Sequence, residues 1–196
     1  MTDKRLVHIV DDEDGVRRSA SFMLKTSGFA VQTWPSGIAF LKEARHVEPG
    51  CVLLDVRMPD MNGVAVFDQL IGRGLLPRLP VIFLTGHGDV PMAVDSLKRG
   101  AFDFFEKPFN DNQLMDRVDQ ALAASRAAAA SDQVRMRLAT LSAREREVLD
   151  LILAGKMNKV VADELGISMR TVEVHRAHIF DKMQVKTAVE LAGLLK

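Results

Sequence analysis

The chain has 196 residues, 47% of them hydrophobic, and its 26 Lys and Arg side chains are balanced by 26 Asp and Glu side chains. This length and composition predict a globular protein with one large or two small hydrophobic cores, and the balanced charge does not indicate a nucleic acid or membrane partner. The single cysteine excludes an internal disulfide framework. No segment approaches the roughly 18 apolar residues that span a bilayer, and the N-terminal apolar run is too short for a signal peptide. We therefore expect a cytoplasmic protein that does not bind membranes.

The charge is distributed unevenly along the chain. Residues 1–122 carry 14 basic and 17 acidic side chains, a net charge of −3, whereas residues 138–196 carry 9 basic and 8 acidic side chains, a net charge of +1. The first part of the sequence is therefore acidic, and the last part is close to neutral.

Five short apolar runs alternate with helical segments in the first part of the sequence. Several of these runs are continuous, which is typical of parallel strands that are covered on both faces. Several helical segments stop at a glycine, the residue that most readily adopts the left-handed conformation after a helix. The alternation predicts an α/β doubly wound domain, flavodoxin-like, with a five-stranded parallel sheet. The predicted strands are 6–10, 30–34, 51–54, 81–84 and 101–105, and the predicted helices between them are 16–26, 38–44, 64–71 and 90–99.

Residues 110–140 contain neither Gly nor Pro, and the segment "ALAASRAAAASDQVRMRLA" is rich in strong helix formers. This composition favours a fifth helix that continues into a helical linker over residues 123–138. A flexible Ala-rich tether is the alternative. We therefore expect residues 1–122 and 139–196 to form two domains.

The part of the chain after Leu141 has no strand-like runs and predicts an all-α domain of four short helices. Ser142 and Glu145 have the spacing of a capping box, in which each satisfies a backbone N–H of the other. The turn Gly166-Ile167-Ser168 between the second and third helices gives the layout of a helix-turn-helix. Helix starts are predicted at Ser142, Asn158, Ser168 and Thr187, and helix ends near residues 155, 166, 183 and 195.

Charged and polar side chains follow the predicted strands. Asp11 and Asp12 end the first strand, Asp55 the third, Thr85 the fourth and Lys107 the fifth, and in a doubly wound sheet ligands bind at the carboxyl ends of the strands. Three carboxylates in one crevice repel each other unless a cation neutralises them, and Mg²⁺ suits a shallow site with oxygen ligands. An Asp beside Mg²⁺ is a nucleophile for phosphoryl transfer, and the ammonium and hydroxyl groups would share the charge of the phosphoryl oxygens.

Four motifs in this order, "IVDDE", "LLDVRMPDMNG", "FLTGHGDVPMAV" and "FFEKPF", resemble the receiver domain of two-component response regulators, and "TGHGDVPMAV" is similar to the FixJ-type subgroup. The resemblance implies that a sensor histidine kinase phosphorylates Asp55 and that the chain accepts phosphoryl groups without being an enzyme for other substrates. It also implies that Asp12 binds Mg²⁺ directly, Asp11 through water, and the Arg57 backbone carbonyl as a further ligand.

The same resemblance assigns the residues that respond to phosphorylation. Thr85 and Lys107 would contact the phosphoryl group, Phe104 would be the aromatic switch, and the Lys107–Pro108 bond would be cis. Arg57 and His87 would flank the phosphoryl group, where bulky side chains could exclude water and slow its loss. Phosphorylated chains would form a homodimer through a surface that includes Val90, Val94, Lys98 and Asp103, with Lys98 and Asp103 pairing across a two-fold axis.

The C-terminal motifs "LSAREREVL" and "RTVEVHRAHI" resemble the LuxR-type DNA-binding domain of FixJ/NarL response regulators. The second helix of the helix-turn-helix is expected to enter a major groove of promoter DNA. RNA polymerase is then a further expected partner. From helix geometry, base-edge contacts are predicted for Thr171, Glu173, Val174 and Ala177, and phosphate contacts for Lys159, Arg170, Arg176 and Lys182.

The low net charge of this part predicts weak DNA binding by one copy, which pairing of two copies would strengthen. Two other functions are considered. A phospho-dependent adaptor whose C-terminal helices bind protein would leave the recognition-helix pattern unexplained. An Asp-nucleophile phosphatase needs a second carboxylate two residues after the nucleophile, and Arg57 stands there.

Overall fold

The computed structural model describes residues 5–86 and 90–195, which form two compact units divided between residues 129 and 130. In the described residues, no helix is both long and apolar enough to cross a membrane. The elements of the first unit are β1 (Leu6–Val10), α1 (Asp14–Thr26), β2 (Ala30–Trp34), α2 (Gly37–Glu43), β3 (Cys51–Asp55), α3 (Gly63–Gly72), β4 (Val81–Thr85), α4 (Val90–Lys98), β5 (Asp103–Glu106) and the part of α5 (Asp111–Ala139) up to residue 129.

The five strands form one parallel sheet in the order β2-β1-β3-β4-β5, which confirms the predicted flavodoxin-like fold. Both faces of the sheet are buried. On β3, Val52 and Leu54 pack into one core, while Cys51 and Leu53 pack into the other. This two-sided burial explains why the strands read as continuous apolar runs in the sequence.

The last predicted strand begins two residues too early. Ala101 does not belong to β5, because its backbone N–H donates to the carbonyl of Ser96 and so closes the turn after α4. Gly100 in that turn has a φ of +101°, a backbone conformation that residues with a Cβ rarely adopt. The strand therefore starts at Asp103 and ends at Glu106.

The second unit consists of the last part of α5 with α6 (Ala143–Leu153), α7 (Asn158–Leu165), α8 (Met169–Met183) and α9 (Ala188–Leu194). A core of its own joins these helices and includes Val148, Val161, Val172, Ile179 and Leu191. The Ala-rich segment lies within the 29-residue helix α5, as its composition predicts, and is not an irregular tether.

The capping residues of the second unit agree with the sequence at three helices and differ at one. Ser142 and Glu145 form the predicted capping box, and Ser168 and Thr187 cap α8 and α9 with their side chains. The prediction for Asn158 is wrong. Asn158 is the first residue inside α7, because the first backbone hydrogen bond of the helix runs from Val161 to the Met157 carbonyl.

Candidate functional site

An ammonium group lies between two buried carboxylates at the carboxyl ends of β1, β3 and β5. The Lys107 Nζ is 2.6 Å from Asp55 Oδ1 and 3.1 Å from Asp11 Oδ2. Asp11 is only 1% exposed and Asp55 only 7%. The strand ends thus bring three of the five predicted site residues into hydrogen-bond contact, although Asp11 and Lys107 are 96 positions apart in the sequence.

Backbone amides hold the other oxygens of the two carboxylates. Asp11 Oδ1 accepts a hydrogen bond of 2.8 Å from the Glu13 N–H, and Asp55 Oδ2 accepts one of 2.7 Å from the Arg57 N–H. Each carboxylate therefore has one oxygen fixed by the loop that follows its strand and the other directed to Lys107. This arrangement sets the orientation of Asp55 before any ligand binds.

Gly63, which is not among the residues predicted for the site, allows α3 to begin against the end of β3. A Cβ at this position would lie 2.3 Å from the Asp55 carbonyl oxygen and 3.0 Å from the Val56 Cα. The Gly63 N–H also donates to the Val56 carbonyl at 2.9 Å. Because backbone atoms have little room to move, only glycine fits here, and the glycine that ends "RMPDMNG" is the signal in the sequence.

The protonation of this site reflects burial and pairing. Desolvation raises the pKa of Asp55, and it outweighs the opposing hydrogen bond and charge of Lys107. Desolvation also opposes the charge on Lys107, but the hydrogen bond and charge of Asp55, together with the charge of Asp11, raise the pKa of this lysine. We conclude that Lys107 carries a positive charge whose position is held by the two acids.

The remaining receiver residues lie at or near this cluster but do not complete it. Thr85 is buried, and its hydroxyl donates to the Phe105 carbonyl at 3.4 Å and not to the Asp55 carboxylate. Phe104 is half-buried, pairs with Phe83 across the sheet and packs against one of the two cores. The Lys107–Pro108 bond is cis, as the resemblance implies.

A cation site built on these acids would have few protein ligands. The Asp12 and Arg57 side chains are exposed, and no three His, Cys, Asp or Glu side chains converge anywhere in residues 5–86 and 90–195 in a way that could hold a metal. Asp11 and Asp55 are nevertheless close enough to bind the same ammonium. Two carboxylates fit Mg²⁺, which is commonly held by one or two carboxylates and several waters.

Of the residues predicted to form the dimer surface, two are exposed and one is bound within its own chain. Val94 and Lys98 are exposed on α4, whereas the carboxylate of Asp103 is bound within the chain by the Arg117 guanidinium at 2.5 Å. Arg117 also lies over the Phe102 ring at 4.6 Å. His87 and the side chain of Val90 lie outside the described residues.

The second unit contains the predicted helix-turn-helix, formed by α7 and α8. Gly166 ends α7 with a φ of +62°, and the Ser168 hydroxyl accepts from the Thr171 N–H at the start of α8. Val172 and Ile179 are buried on the inner face of α8. The side chains of its outer face that are exposed are Arg170, Glu173, Val174 and Ala177, whereas those of Thr171 and Arg176 are half-buried.

The four predicted phosphate contacts have different surroundings. Lys159 is exposed and, among the described residues, forms no hydrogen bond or ion pair. Arg170 is exposed as well, and Arg176 lies over the Phe180 ring at 5.4 Å. Lys182 instead forms an ion pair with Glu145, whose carboxylate is 4% exposed.

The Glu145 carboxylate makes the stability of the second unit pH-dependent. Its pKa is lowered to about 2, first by the hydrogen bond from Lys182 and then by the hydrogen bond from the Ser142 N–H. A carboxyl group with a lower pKa in the folded chain stabilises the fold while it is ionised, and this stabilisation is lost as the pH falls. The loss of stability should therefore begin near pH 4.5, the ordinary pKa of a glutamate side chain, and be complete near pH 2.

Thermal unfolding of the wild type and Glu145→Gln, followed by circular dichroism at several pH values, tests this expectation. The wild type should lose more stability than the variant between about pH 5 and pH 2, because Gln does not titrate. Equal losses in both proteins would contradict the assignment to Glu145.

Comparisons with known proteins agree with this architecture. Residues 7–119 match the family described as "Response regulator receiver domain", and residues 139–195 match "Bacterial regulatory proteins, luxR family". The chain is 51% identical to the C4-dicarboxylate transport transcriptional regulatory protein DctR of Rhodobacter capsulatus, covering 96% of this chain and 98% of that protein. It is 48% identical to the transcriptional regulatory protein FixJ of Rhizobium meliloti, covering 96% and 93%. The solved structure of the response regulator StyR is 38% identical, covers 98% of both chains and superposes with a TM-score of 0.72.

Proposed function

Because this chain belongs to the two-component response regulators that join a receiver domain to a LuxR-type DNA-binding domain, we propose that phosphorylation of Asp55 by a sensor histidine kinase controls its binding to promoter DNA. The chain is a phosphorylation-dependent regulator of transcription, and the adaptor function is not favoured, since residues 139–195 match a family of DNA-binding regulators. The single observation that carries the role of Asp55 is the Lys107 ammonium bound to both Asp55 and Asp11.

The proposed reaction begins with the Asp55 carboxylate. One of its oxygens attacks the phosphorus atom of the kinase phosphohistidine, an O–P bond forms, the N–P bond breaks, and the electron pair returns to the histidine ring. Lys107 already lies 2.6 Å from Asp55 Oδ1 and is placed to bind an oxygen of the transferred phosphoryl group. The Arg57 N–H holds the other carboxylate oxygen and keeps the nucleophile in a single orientation.

Asp11, Asp12, Asp55 and the Arg57 carbonyl are the residues that would hold Mg²⁺. When bound, the ion neutralises part of the negative charge that develops on the phosphoryl oxygens. The exposed Asp12 carboxylate can join the site without leaving any partner, because it has none in the part of the chain that the structure describes.

The response to phosphorylation is proposed to run through Thr85. Its hydroxyl donates to the Phe105 carbonyl over a long 3.4 Å bond, so exchanging this acceptor for a phosphoryl oxygen costs little. Phe104, in the next strand and half-buried, would turn into the space that Thr85 leaves. Phosphorylation can shift the population only if the phosphoryl group binds this second conformation more strongly, and the gained hydrogen bond supplies that difference.

The phosphorylated chain is then proposed to dimerise through the surface around Val90, Val94, Lys98 and Asp103. Asp103 would have to exchange its bond to Arg117 for one to Lys98 of a second chain, or carry both. Two DNA-binding domains in one dimer bind two half-sites more strongly than one domain binds a single half-site. We further propose that residues 1–122 and 139–196 form the two domains and that residues 123–138 form the linker between them. The dimer bound to DNA is proposed to act on RNA polymerase.

The DNA contacts remain those given by helix geometry. Glu173, Val174 and Ala177 are exposed on one helix of the helix-turn-helix, as contacts with base edges in a major groove require, and Thr171 lies beside them. Lys159, Arg170 and Arg176 are proposed to bind phosphates, whereas Lys182, the fourth residue predicted to do so, forms an ion pair with Glu145. We propose that the chain catalyses only the gain and loss of its own phosphoryl group.

Binding to DNA with and without phosphorylation tests this function. A labelled duplex is first selected from a random-sequence pool with the phosphorylated chain, and its affinity is then measured by fluorescence anisotropy. Treatment with acetyl phosphate and Mg²⁺ is expected to strengthen binding about 100-fold, the gain of joining two modules. Equal affinity of the treated and untreated chains would overturn the proposal.

A further inference from the structure

The N-terminus of α6 contains a buried carboxylate with two functions. Glu145 accepts a 2.7 Å hydrogen bond from the Ser142 N–H, and the Ser142 hydroxyl accepts one from the Glu145 N–H, which completes the capping box. A capping box alone requires only one carboxylate oxygen and is usually exposed to water. Glu145 is 4% exposed, so its charge needs a further partner in the second unit.

Lys182, in the last turn of α8, is that partner. Its Nζ lies 2.9 Å from Glu145 Oε1 and 2.6 Å from Oε2, and it is 3.3 Å from the Thr140 carbonyl. These three acceptors match the three protons of a lysine ammonium. Lys182 would have to give up at least one of these bonds to reach a DNA phosphate.

The ion pair joins α8 to the start of α6 across 37 positions of sequence. His178, one turn before Lys182, faces the same acid, with its Nδ1 3.9 Å from Glu145 Oε1. Ile179 and Met183, next to these two residues in the sequence, are buried in the core. The C-terminal half of α8 is therefore held by the core on its inner face and by Glu145 at its side.

The predicted base contacts, Thr171 to Ala177, lie on the other half of the same helix. At 1.5 Å per residue they are roughly 8 to 16 Å from Lys182 along the helix axis. A helix is a stiff rod over this distance, so a change in the tilt of its C-terminal end moves the base contacts as well.

We propose that Lys182 is a positioning residue, which acts through Glu145 to hold the recognition helix α8 at the angle required for DNA, and that it does not contact a phosphate. This inference rests on the proposed function of the second unit as a DNA-binding domain. It differs from the expectation based on sequence position alone, which counts Lys182 with Lys159 as a phosphate contact.

The two roles predict opposite effects of neutralising Glu145. Glu145→Gln keeps the capping box, because Gln also accepts a hydrogen bond from the residue that begins the helix, but it removes the charge that holds Lys182. A phosphate-binding Lys182 would be released by this change and would bind DNA more strongly. A positioning Lys182 would lose its anchor, so the affinity of the full-length variant for DNA would fall.

The experiment measures the affinity of the phosphorylated full-length chain for the selected duplex at several salt concentrations. Lys182→Met, Glu145→Gln and the double variant are expected to bind about tenfold more weakly than the wild type, with no further loss in the double variant, because contacting residues are coupled. In these three variants, the slope of log affinity against log salt concentration should equal that of the wild type. Lys159→Met, the matched control, should reduce this slope by about 1.8, because each of the two chains in the bound dimer loses one phosphate contact worth about 0.9.

A reduced salt slope in Lys182→Met, or tighter binding by Glu145→Gln, would overturn the inference. If the wild type showed no salt-dependent binding to the duplex, the proposed function would be overturned instead. The two failures are therefore distinguishable. Amide hydrogen exchange without DNA gives a second reading that does not depend on binding. Residues 178–183 should exchange faster in both single variants and at the wild-type rate in Lys159→Met, and unchanged exchange in Lys182→Met would also contradict the positioning role.

Discussion

Asp55→Asn is expected to abolish phosphorylation and with it the about 100-fold gain in DNA affinity that pairing of two DNA-binding domains provides. The amide has nearly the size of the carboxylate but is not a nucleophile, so no acyl phosphate can form. The variant should fold normally. Burial raises the pKa of Asp55, which means that the ionised carboxylate is less favourable in the folded chain than in the unfolded one, and its thermal stability near neutral pH should be no lower than that of the wild type.

Mass spectrometry of the intact chain after incubation with acetyl phosphate and Mg²⁺ measures the first effect, and fluorescence anisotropy measures the second. Asp14→Asn is a suitable control. Asp14 is exposed and, within residues 5–86 and 90–195, pairs only with the nearby Arg17 and Arg18, at 3.1 and 3.2 Å, so its loss should leave the phosphoryl adduct at the wild-type level. An adduct of wild-type yield in Asp55→Asn would show that another residue is the phosphoacceptor.

Ile179→Ala is expected to unfold the second unit while leaving phosphorylation of Asp55 intact. Ile179 is fully buried in the core formed by the helices of the second unit, and removing such a side chain costs about 2–5 kcal/mol. A domain of this size buries a smaller fraction of its surface on folding than a larger domain does, so it has little stability to lose. DNA binding should therefore be lost at 37 °C.

The first unit has its own two cores, on the two faces of the sheet, and neither contains Ile179. We therefore expect the yield of phosphoryl adduct to stay within the wild-type range while the helical circular dichroism signal falls. Ile179→Val is the matched control, since losing one methylene costs about 0.5–1.5 kcal/mol and should preserve DNA binding. Parallel loss of phosphorylation in Ile179→Ala would show that the two units do not fold independently.

Much of the candidate site could be predicted because its residues stand at strand ends. Apolar runs of five residues identify the strands, parallel pairing brings their carboxyl ends to one edge, and Asp11, Asp55 and Lys107 meet there as a result. The helix starts at Ser142, Ser168 and Thr187 are predictable for a similar reason. Each depends on a hydrogen bond to a backbone N–H three residues away, so the signal is local.

Other features depended on atoms that sequence spacing does not bring together. The Cβ of a residue at position 63 would clash with the Asp55 carbonyl, which becomes evident only when α3 is placed against β3. Asp103 was expected to pair with a second chain, and the structure gives it Arg117 of the same chain. The sequence predicts Asn158 as a helix cap, but the hydrogen-bond pattern makes the preceding residue, Met157, the N-cap and places Asn158 inside α7.

The α/β fold with its carboxylates at the strand ends and the helical DNA-binding domain can be read from the amino-acid sequence, because periodicity, caps and strand ends are set by neighbouring residues. The partners of the long charged side chains follow instead from the packing of the folded chain, as for Lys182 and Glu145, which are 37 positions apart. Lysine and arginine can reach several acceptors from one backbone position. Which acceptor they bind depends on where a buried acid needs a cation, and burial is a property of the packed chain.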